Sequence, residues 1–544
     1  MALTKVHNRM IAGNIYNVID FGALGDFPAG GSSGTDDTTA IQNAVNAVQV
    51  AGGGNLIFPA TSGYYRIEGT VTADDTVNFI MDGGVINVPS TGSLTINGGF
   101  ANRNVNSLCL VTPPATSSAS AIKIREASDS TAISSLVNEL QANWFSGSTM
   151  SQKIRSAFQV GGSNTTVRIP PGNFTINTTI SLDQSNYGRH LTLRGESHIA
   201  STLEMEANCN RVGIDASNSD ECLVDNIRVT EATGTRTGVG LLVGGTSLVV
   251  NNCWFGNTKY GILVNGGSGM HLSGCYIESC DQGFMIASNF ADHNIGSMSE
   301  PSSVLNHRID RLYVFNCGAA NSANDFGLYV TGKYVEFNIS AASGSFTDGE
   351  TITGGTSGAT ATLFTSTSGE MIVSGVSGTF TNGETLTGGT SARTATLDSQ
   401  NNNDVRDIQF TSLQVSQCDR YGAWFEDCSG ITVQGNFTKN GTDSTSVTGG
   451  AKVDDNVEDI VFHGCRFADT KADTSTSYGL DINGNNSKVV VTGCIATNDQ
   501  TTDQDVGIRT DKATTVISSC ILTGNNTSAI QDDGPSPTTS ANIT

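Results

Sequence analysis

The sequence predicts an all-β solenoid, a parallel β-helix, and two observations carry that prediction. The first is a stencil repeated down the second half of the chain: a short apolar strand, a polar pair, one small apolar residue, a polar loop, then aromatic, glycine and apolar-any-apolar. Copies read VDNIRV then VGLLVG (Val224, Val239), VNNCWF then YGILVN (Val250, Tyr260), and LSGCYIESC then QGFMIA (Leu272, Gln282). IDRLYVFNC then FGLYVT (Ile309, Phe326) and FTSLQVSQC then YGAWFE (Phe410, Tyr421) follow, and VQGNFT, FHGCRF, VTGCIA and ISSCIL continue the series. The second observation is the period. Most intervals are 22 to 29 residues, the length of one β-helix coil and too short for a propeller blade. One coil alone cannot bury its apolar strand faces, whereas coils stacked about 4.8 Å apart can.

Composition agrees. Only 15% of the 544 residues are charged, while glycine, with Ser, Thr and Asn, is abundant, which suits short strands joined by tight turns. A net charge of −23 with no basic run excludes nucleic acid as a partner. No stretch approaches the roughly 18 apolar residues of a membrane span, so membrane insertion is not expected. The first 16 residues carry Lys5 and Arg9 without an apolar core, so export by a signal peptide is not expected either. Of the twelve cysteines, five fall in one column after the polar pair: Ile227, Cys253, Cys275, Leu312, Leu413, Asn436, Cys465, Cys494 and Cys520. Cys280, Cys317 and Cys418 each follow that column by five residues. Cysteine so placed reads as a small buried hydrophobe stacked on its neighbour one coil away. No cysteine or histidine spacing matches a zinc site, and neither a metal nor another cofactor is implied.

Residues 17 to 26 read NVIDFGALGD. Thr35, Asp36 and Asp37 are placed to cap a short helix with apolar positions Ile41, Ala44 and Val45, and GGGNLIFPATSGYYRI gives a turn and strand material. Such a helix covers the open end of a stack, whose strand edges would otherwise be exposed. DFGALGD, TDDTTAIQNA and GGGNLIFP together resemble the N-terminal motif of the pectate-lyase-3 group of right-handed, pectin-lyase-like β-helix proteins. With KVHNRMIAG before them, they are similar to the start of many bacteriophage tailspike and capsule-depolymerase modules. The pattern departs at Phe27, where the group has glycine after Asp26. A second opening module repeats helix, turn and strand in NWFSG, KIRSAF and TTVRIPPGNFTINTTISL, with Pro170-Pro171-Gly172 at the turn.

The expected organisation is an attachment segment over 1–16, opening modules over 17–115 and 116–215, and β-helix over 216–332 and 404–530. An inserted module occupies 333–403, and a flexible tail 531–544. Within the insertion, SGSFTDGETITGGTSGATATL (343–363) recurs as SGTFTNGETLTGGTSARTATL (377–397), 16 of 21 positions being identical. Alternating Thr and apolar residues with Asp-Gly, Asn-Gly and Gly-Gly turns read as β-hairpins, for a sugar-contacting or spacer role.

Alternate residues of a coil face inward, so the middle residue of apolar-any-apolar faces out and is expected to be exposed. That column is Leu242, Leu263, Met285, Tyr329, Trp424, Lys452, Asp481 and Arg509; two residues on run Gly244, Asn265, Ala287, Thr331, Glu426, Asp454, Asn483 and Asp511. In the resembled group this strand lines the face on which polysaccharide-cleaving members bind. Tyr329 and Trp424 are therefore candidate plates for pyranose rings, with Lys452 and Arg509 as further substrate contacts. Glu426, Asp454 and Asp481, on successive coils about 5 Å apart, are the candidate catalytic carboxylates. Retaining glycosidases hold theirs about 5 Å apart and inverting ones about 6.5–9.5 Å. Glu278 and Asp281, then Glu204 and Glu206, come next. A lyase would use Lys452 or Arg509 beside a uronate, a substrate that the negative field opposes, so hydrolysis is favoured over elimination.

The resemblance implies a phage tailspike or tail fibre. Such a protein is a homotrimer on the virion tail, made in the host cytoplasm and acting outside the host. It is joined to the tail or an adaptor protein through its N-terminus, recognises a host surface polysaccharide and, if an enzyme, depolymerises it. A non-enzymatic receptor-binding adhesin and a structural tail component are the alternatives.

Overall fold

The computed structural model describes residues 15–28, 33–89, 91–102, 122–124, 139–145, 147–287, 303–318, 326–332, 334–367, 369–403, 405–441, 448–470, 476–484, 486–498, 504–511, 514–534, 537–540 and 542. KVHNRMIAG and Cys109 lie outside them. The chain divides into two compact units, residues 1–203 with 222–227, and residues 204–221 with 228–544.

In the first unit, the helix Thr38–Val50 buries Ile41, Ala44, Val45 and Val48. A parallel sheet of Ile15–Asn17, Gly54–Pro59, Val77–Asp82 and Phe100–Asn102 lies in the same unit. Asp36 turns back on Thr38, accepting from its N–H at 3.0 Å. Asp37 instead accepts from the N–H groups of Leu24 (2.7 Å) and Gly25 (3.1 Å), which ties the DFGALGD loop to the helix start. Phe27 is buried under the Arg66 guanidinium, 3.9 Å from the ring centroid, so a core side chain stands where the resembled motif has glycine. A second helix, Met150–Gly161, is followed by the parallel strands Thr166–Arg168 and Thr192–Arg194.

The second unit is a parallel β-helix. One ladder is built from the aromatic-Gly-apolar copies, running from Val212–Ala216 and Val239–Val243 through Phe326–Thr331 and Tyr421–Phe425 to Val506–Thr510 and Ser528–Asp532. The other is built from paired short strands, such as Val249–Asn251 with His271–Ser273 and Trp254–Gly256 with Tyr276–Glu278. The polar pair of the stencil is the corner between these short strands. Its second residue is left-handed in Asn252, Gly274, Arg311, Gly464, Gly493 and Ser519, with φ between 50° and 65°. Its N–H still joins the ladder: Asn252 donates to Ser273 O at 3.0 Å and Gly274 to Asp310 O at 3.2 Å. A second left-handed column holds Asn257, Ser279, Asn316, Gln417, Lys439 and Asp469. Glycine and asparagine adopt this backbone at least cost; other residues meet a Cβ clash.

Two expectations change at this level. Gly435, not Asn436, pairs with Leu413, because the strand Ser429–Thr438 runs straight through and omits the corner residue. A Cβ at Gly435 would stand 2.4 Å from Leu413 O, so glycine is what lets this coil pass. The stack also continues into the expected tail. Ser528–Asp532 and Thr538–Ser540 pair in parallel with the preceding coil, although Thr-Thr-Ser lacks the apolar alternation that would announce a strand. All described cysteines are free thiols, and apart from half-buried Cys209 they are buried.

Residues 334–403 form a closed six-stranded antiparallel barrel in which the hairpins of the two repeats close on each other. The register reveals a pseudo-twofold. Phe337 pairs with Met371 and Thr353 with Thr387, each residue facing its own equivalent 34 positions away. The core is Phe337, Phe346, Ile352, Leu363, Met371, Phe380, Leu386, Leu397 and their smaller neighbours. Each repeat contributes one buried glutamate to the other. Glu384 accepts from Thr356 N and Ser357 N, both 2.9 Å, and from Thr381 N at 2.6 Å. Glu350 accepts from Thr390 N (2.8 Å), Ser391 N and Thr347 N (both 2.7 Å). Burial alone would raise both carboxyls, but the hydrogen bonds outweigh it and hold each down to about 2.

Replacing exposed, left-handed Gln417 by glycine should stabilise the β-helix by about 1 kcal/mol, and Asn252→Val should destabilise it by at least that much, read from urea midpoints. The barrel glutamates have folded pKa values below the unfolded value of 4.5, so their stabilisation is complete above pH 4.5 and is lost as pH falls toward about 2. Hydrogen exchange of peptides from 351–397 should accelerate over that window, and Glu384→Gln should show fast exchange already above it.

Candidate functional site

The pairings Leu242–Leu263, Leu263–Met285, Met285–Tyr329, Tyr329–Trp424, Trp424–Lys452, Lys452–Asp481 and Asp481–Arg509 place the outward column in one file, one residue per coil. Asp215 precedes it and Gln531 follows. The file is less exposed than expected. Leu242, Leu263 and Met285 are buried with Val212, Val239, Tyr260 and Ala287, and Tyr329 packs against that cluster. The physical reason is that the residue before each glycine, Val239 or Tyr260, packs on this same side, so two columns cover one another.

From Tyr329 onward the face becomes aromatic and ionic. Trp424 meets Phe326 at 4.7 Å, Tyr421 at 5.5 Å and Tyr329 at 6.2 Å between ring centroids, all edge-on. The Lys452 ammonium sits 3.8 Å from the indole centroid and pairs with Asp454 at 2.5 Å. One face of the expected sugar plate is therefore covered by a cation, and stacking there requires Lys452 to swing aside. The Tyr329 hydroxyl donates to Glu426 Oε1, and Thr331 Oγ1 donates to the same oxygen at 3.3 Å. Burial pushes the Glu426 carboxyl above the ordinary carboxylate range, and the charges of Asp427 and Asp454 act the same way against the Tyr329 hydrogen bond.

Asp481 has a different setting. It is 1% exposed, with the Tyr421 hydroxyl 3.2 Å from Oδ2 and Arg509 Nη1 3.1 Å from Oδ1; Arg509 also holds Asp533 at 2.9 Å. Burial raises its pKa, and Arg509 and Lys452 oppose that. Tyr421 reaches Asp481 across an intervening coil because that coil presents Gly449, where a Cβ would lie 2.5 Å from the tyrosine ring. Asp481 is thus built as an anchor for Tyr421 and Arg509, while Glu426 and Asp454 are the half-buried carboxyls of the strip. Of the remaining candidates, Glu278 belongs to the other ladder, paired in register with Phe315. Asp281 is held by Arg236 at 3.0 Å and Glu206 by Arg211 at 3.4 Å, and Glu204 is half-buried in the strand Ser201–Met205.

One feature escaped the sequence reading. Tyr276 and Tyr313 stack at 4.8 Å with an interplanar angle of 11° and are 41% and 38% exposed. Trp254 precedes them in register, with the Arg228 guanidinium 4.0 Å from its ring. The signal was present as an aromatic directly after the small-residue column in three successive copies, CWF, CYI and LYV.

No family model matches the chain. A stretch of 60 residues is 50% identical to alginate lyase 7 of Azotobacter vinelandii, covering 11% of this chain and 6% of that protein. The chain thus spans only a small fraction of that relative. Among solved structures, the mannuronan C-5 epimerase AlgE6 A-module of the same organism aligns over 97% of this chain and 98% of its own, at 16% identity and a TM-score of 0.38. Tailspike protein 3 of bacteriophage CBA120 aligns over 97% of this chain and 61% of its own, at 9% identity and a TM-score of 0.35. At that level of superposition neither assigns an activity to this chain.

Arg509→Met should leave Asp481 buried without its direct cation and cost about 3–5 kcal/mol in urea denaturation, whereas the double change Arg509→Met with Asp481→Leu should recover most of that loss.

Proposed function

We propose that this chain is a tailspike or tail-fibre component of a phage virion that binds a host surface polysaccharide along the strip from Tyr329 to Arg509 and hydrolyses it. The observation carrying this reading is Glu426: a half-buried carboxyl with a raised pKa, held by Tyr329 and Thr331, one coil from the Asp454 carboxylate. The N-terminal motif supports the tailspike assignment, and the relative named for alginate supports a polysaccharide as ligand.

In the proposed reaction Glu426 gives its proton to the glycosidic oxygen as the bond from that oxygen to the anomeric carbon breaks. Adjacent coils are about 4.8 Å apart, the spacing of a retaining pair, so Asp454 attacks the anomeric carbon and forms a glycosyl ester. Water, deprotonated by Glu426, then releases the sugar. Lys452 must leave Asp454 and the Trp424 face for this to occur, and the incoming saccharide supplies the competing contacts. A non-enzymatic adhesin is the second reading, favoured by one observation: Lys452 pairs with the Asp454 carboxylate and lies over the Trp424 ring, so the proposed nucleophile is already engaged by a cation. The assembly proposed is a homotrimer attached to the tail through residues 1–16 and acting at the host surface.

The test is incubation with polysaccharides from candidate hosts, assayed for new reducing ends and unsaturated uronates. Glu426→Gln and Asp454→Asn should each lower hydrolysis by a factor on the order of 100 or more with binding intact. Wild-type activity should fall as pH rises through the Glu426 pKa, since the acid must be protonated. Trp424→Ala and Tyr329→Ala should each weaken binding by about 1 kcal/mol. Full activity in both amide variants removes these carboxyls from the reaction, and binding without cleavage by the wild type establishes the adhesin. Light scattering should give a trimer; a mass near 56.6 kDa refutes it.

A further inference from the structure

The two repeats of the barrel are pseudo-equivalent in fold but not in surface. A cleft of about 490 Å³ opens beside the first repeat, lined by Gly344, Ser345, Phe346, Asp348, Ser366 and Thr367. Ligand clefts span roughly 300–1,000 Å³, so the volume suffices for a small ligand. At the equivalent place in the second repeat Gln400 replaces Ser366, and its Nε2 reaches the Phe380 carbonyl at 3.4 Å. The equivalence is fixed by register, since Ser366 faces Met371 as Gln400 faces Phe337. A serine side chain has three fewer non-hydrogen atoms than that of glutamine and leaves that space open.

The other differences gather at the same place. Of the five differing positions in the 21-residue repeat, two line this cleft and a third, Arg393, lies against its Gly344. Ser345 stands for Thr379 and Asp348 for Asn382. Arg393, equivalent to Ala359, lies across Gly344, its guanidinium carbon 3.0 Å from where a Cβ would be. One cleft has thus gained a carboxylate and room, with a guanidinium against its Gly344, while its counterpart has neutral side chains and a glutamine plug.

We infer that the Asp348 cleft is a saccharide-binding site, taking one neutral pyranose unit. An exposed carboxylate accepts from two vicinal hydroxyls, and a guanidinium donates to a ring or hydroxyl oxygen. The Ser345, Ser366 and Thr367 hydroxyls act as either donor or acceptor, and the Phe346 ring, which also lines the cleft, meets the apolar face of the sugar. The opposite charges of Asp348 and Arg393 leave the cleft without a net demand for an ionic ligand. This site goes beyond the solenoid strip and does not depend on it.

The probes are methyl α-D-glucopyranoside, methyl β-D-galactopyranoside and N-acetylglucosamine with the full chain. Saturation-transfer NMR measures affinity and soaked crystals locate the sugar. At least one should occupy the cleft with a Kd on the order of millimolar. Ser366→Gln should empty it and weaken binding at least tenfold, and it retains the fold because glutamine already stands at the equivalent position. Asp348→Asn should weaken binding without disturbing the barrel. Gln400→Ser should open the counterpart and admit a second sugar per chain. A sugar on the solenoid strip with the cleft empty overturns this inference and leaves the solenoid reading standing; a sugar in the cleft with the strip empty does the reverse. Occupancy of the cleft undiminished by Ser366→Gln, or no binding of any probe, also overturns it.

Discussion

Everything in the second unit depends on each coil lying in register over the one before. Its short strands are often three residues long, and a three-residue strand buries little and makes few hydrogen bonds alone. Stability therefore has to come from apolar residues repeated one above the next and from backbone groups that find partners in the neighbouring coil even at the bends. The left-handed corners meet that demand: they turn the chain within one residue while keeping its N–H in the ladder. Where the corner is dropped, at Gly435, only the absence of a side chain lets the strand pass.

The same register creates the candidate site. Residues far apart in sequence, such as Tyr329 and Trp424, become neighbours because an insertion between two coils leaves their pairing intact. A single column then changes character along its length, from Leu242 and Leu263 in an apolar cluster to Lys452, Asp481 and Arg509 in a network of charges. The transition falls at Tyr329, whose ring belongs to the apolar side and whose hydroxyl binds Glu426. Burial that would otherwise disfavour a carboxylate is what makes Glu426 suited to hold a proton.

The column itself was legible in the sequence because a strict stencil aligns equivalent residues without reference to three dimensions. Its exposure was not. The alternation rule says which way a residue points, but whether that side is covered depends on what the residue before the glycine does, and a one-line pattern counts that residue only as part of the motif. Asp481 shows the cost: a carboxylate on an outward column looked available, and the bond from Tyr421, two coils away, appears only when the stack is assembled. The duplication in the insertion was visible, yet its hairpins gave no sign that Glu350 and Glu384 would serve each other's turns, since hydrogen bonds spanning 27 to 41 residues follow from closure of the barrel.

The insertion also has a mechanical consequence. The barrel leaves the solenoid after Thr331 and returns by Val405, and on both sides of that gap the coils pair directly, Val304 with Val405 and Phe326 with Tyr421. Tension applied along the coil axis passes through those backbone pairings and bypasses the barrel, which hangs as a side loop outside the load path. Such a module can loosen in acid, or be exchanged for another of different length, without lengthening the shaft or shifting a single rung of the ladder that carries Glu426 and Asp454.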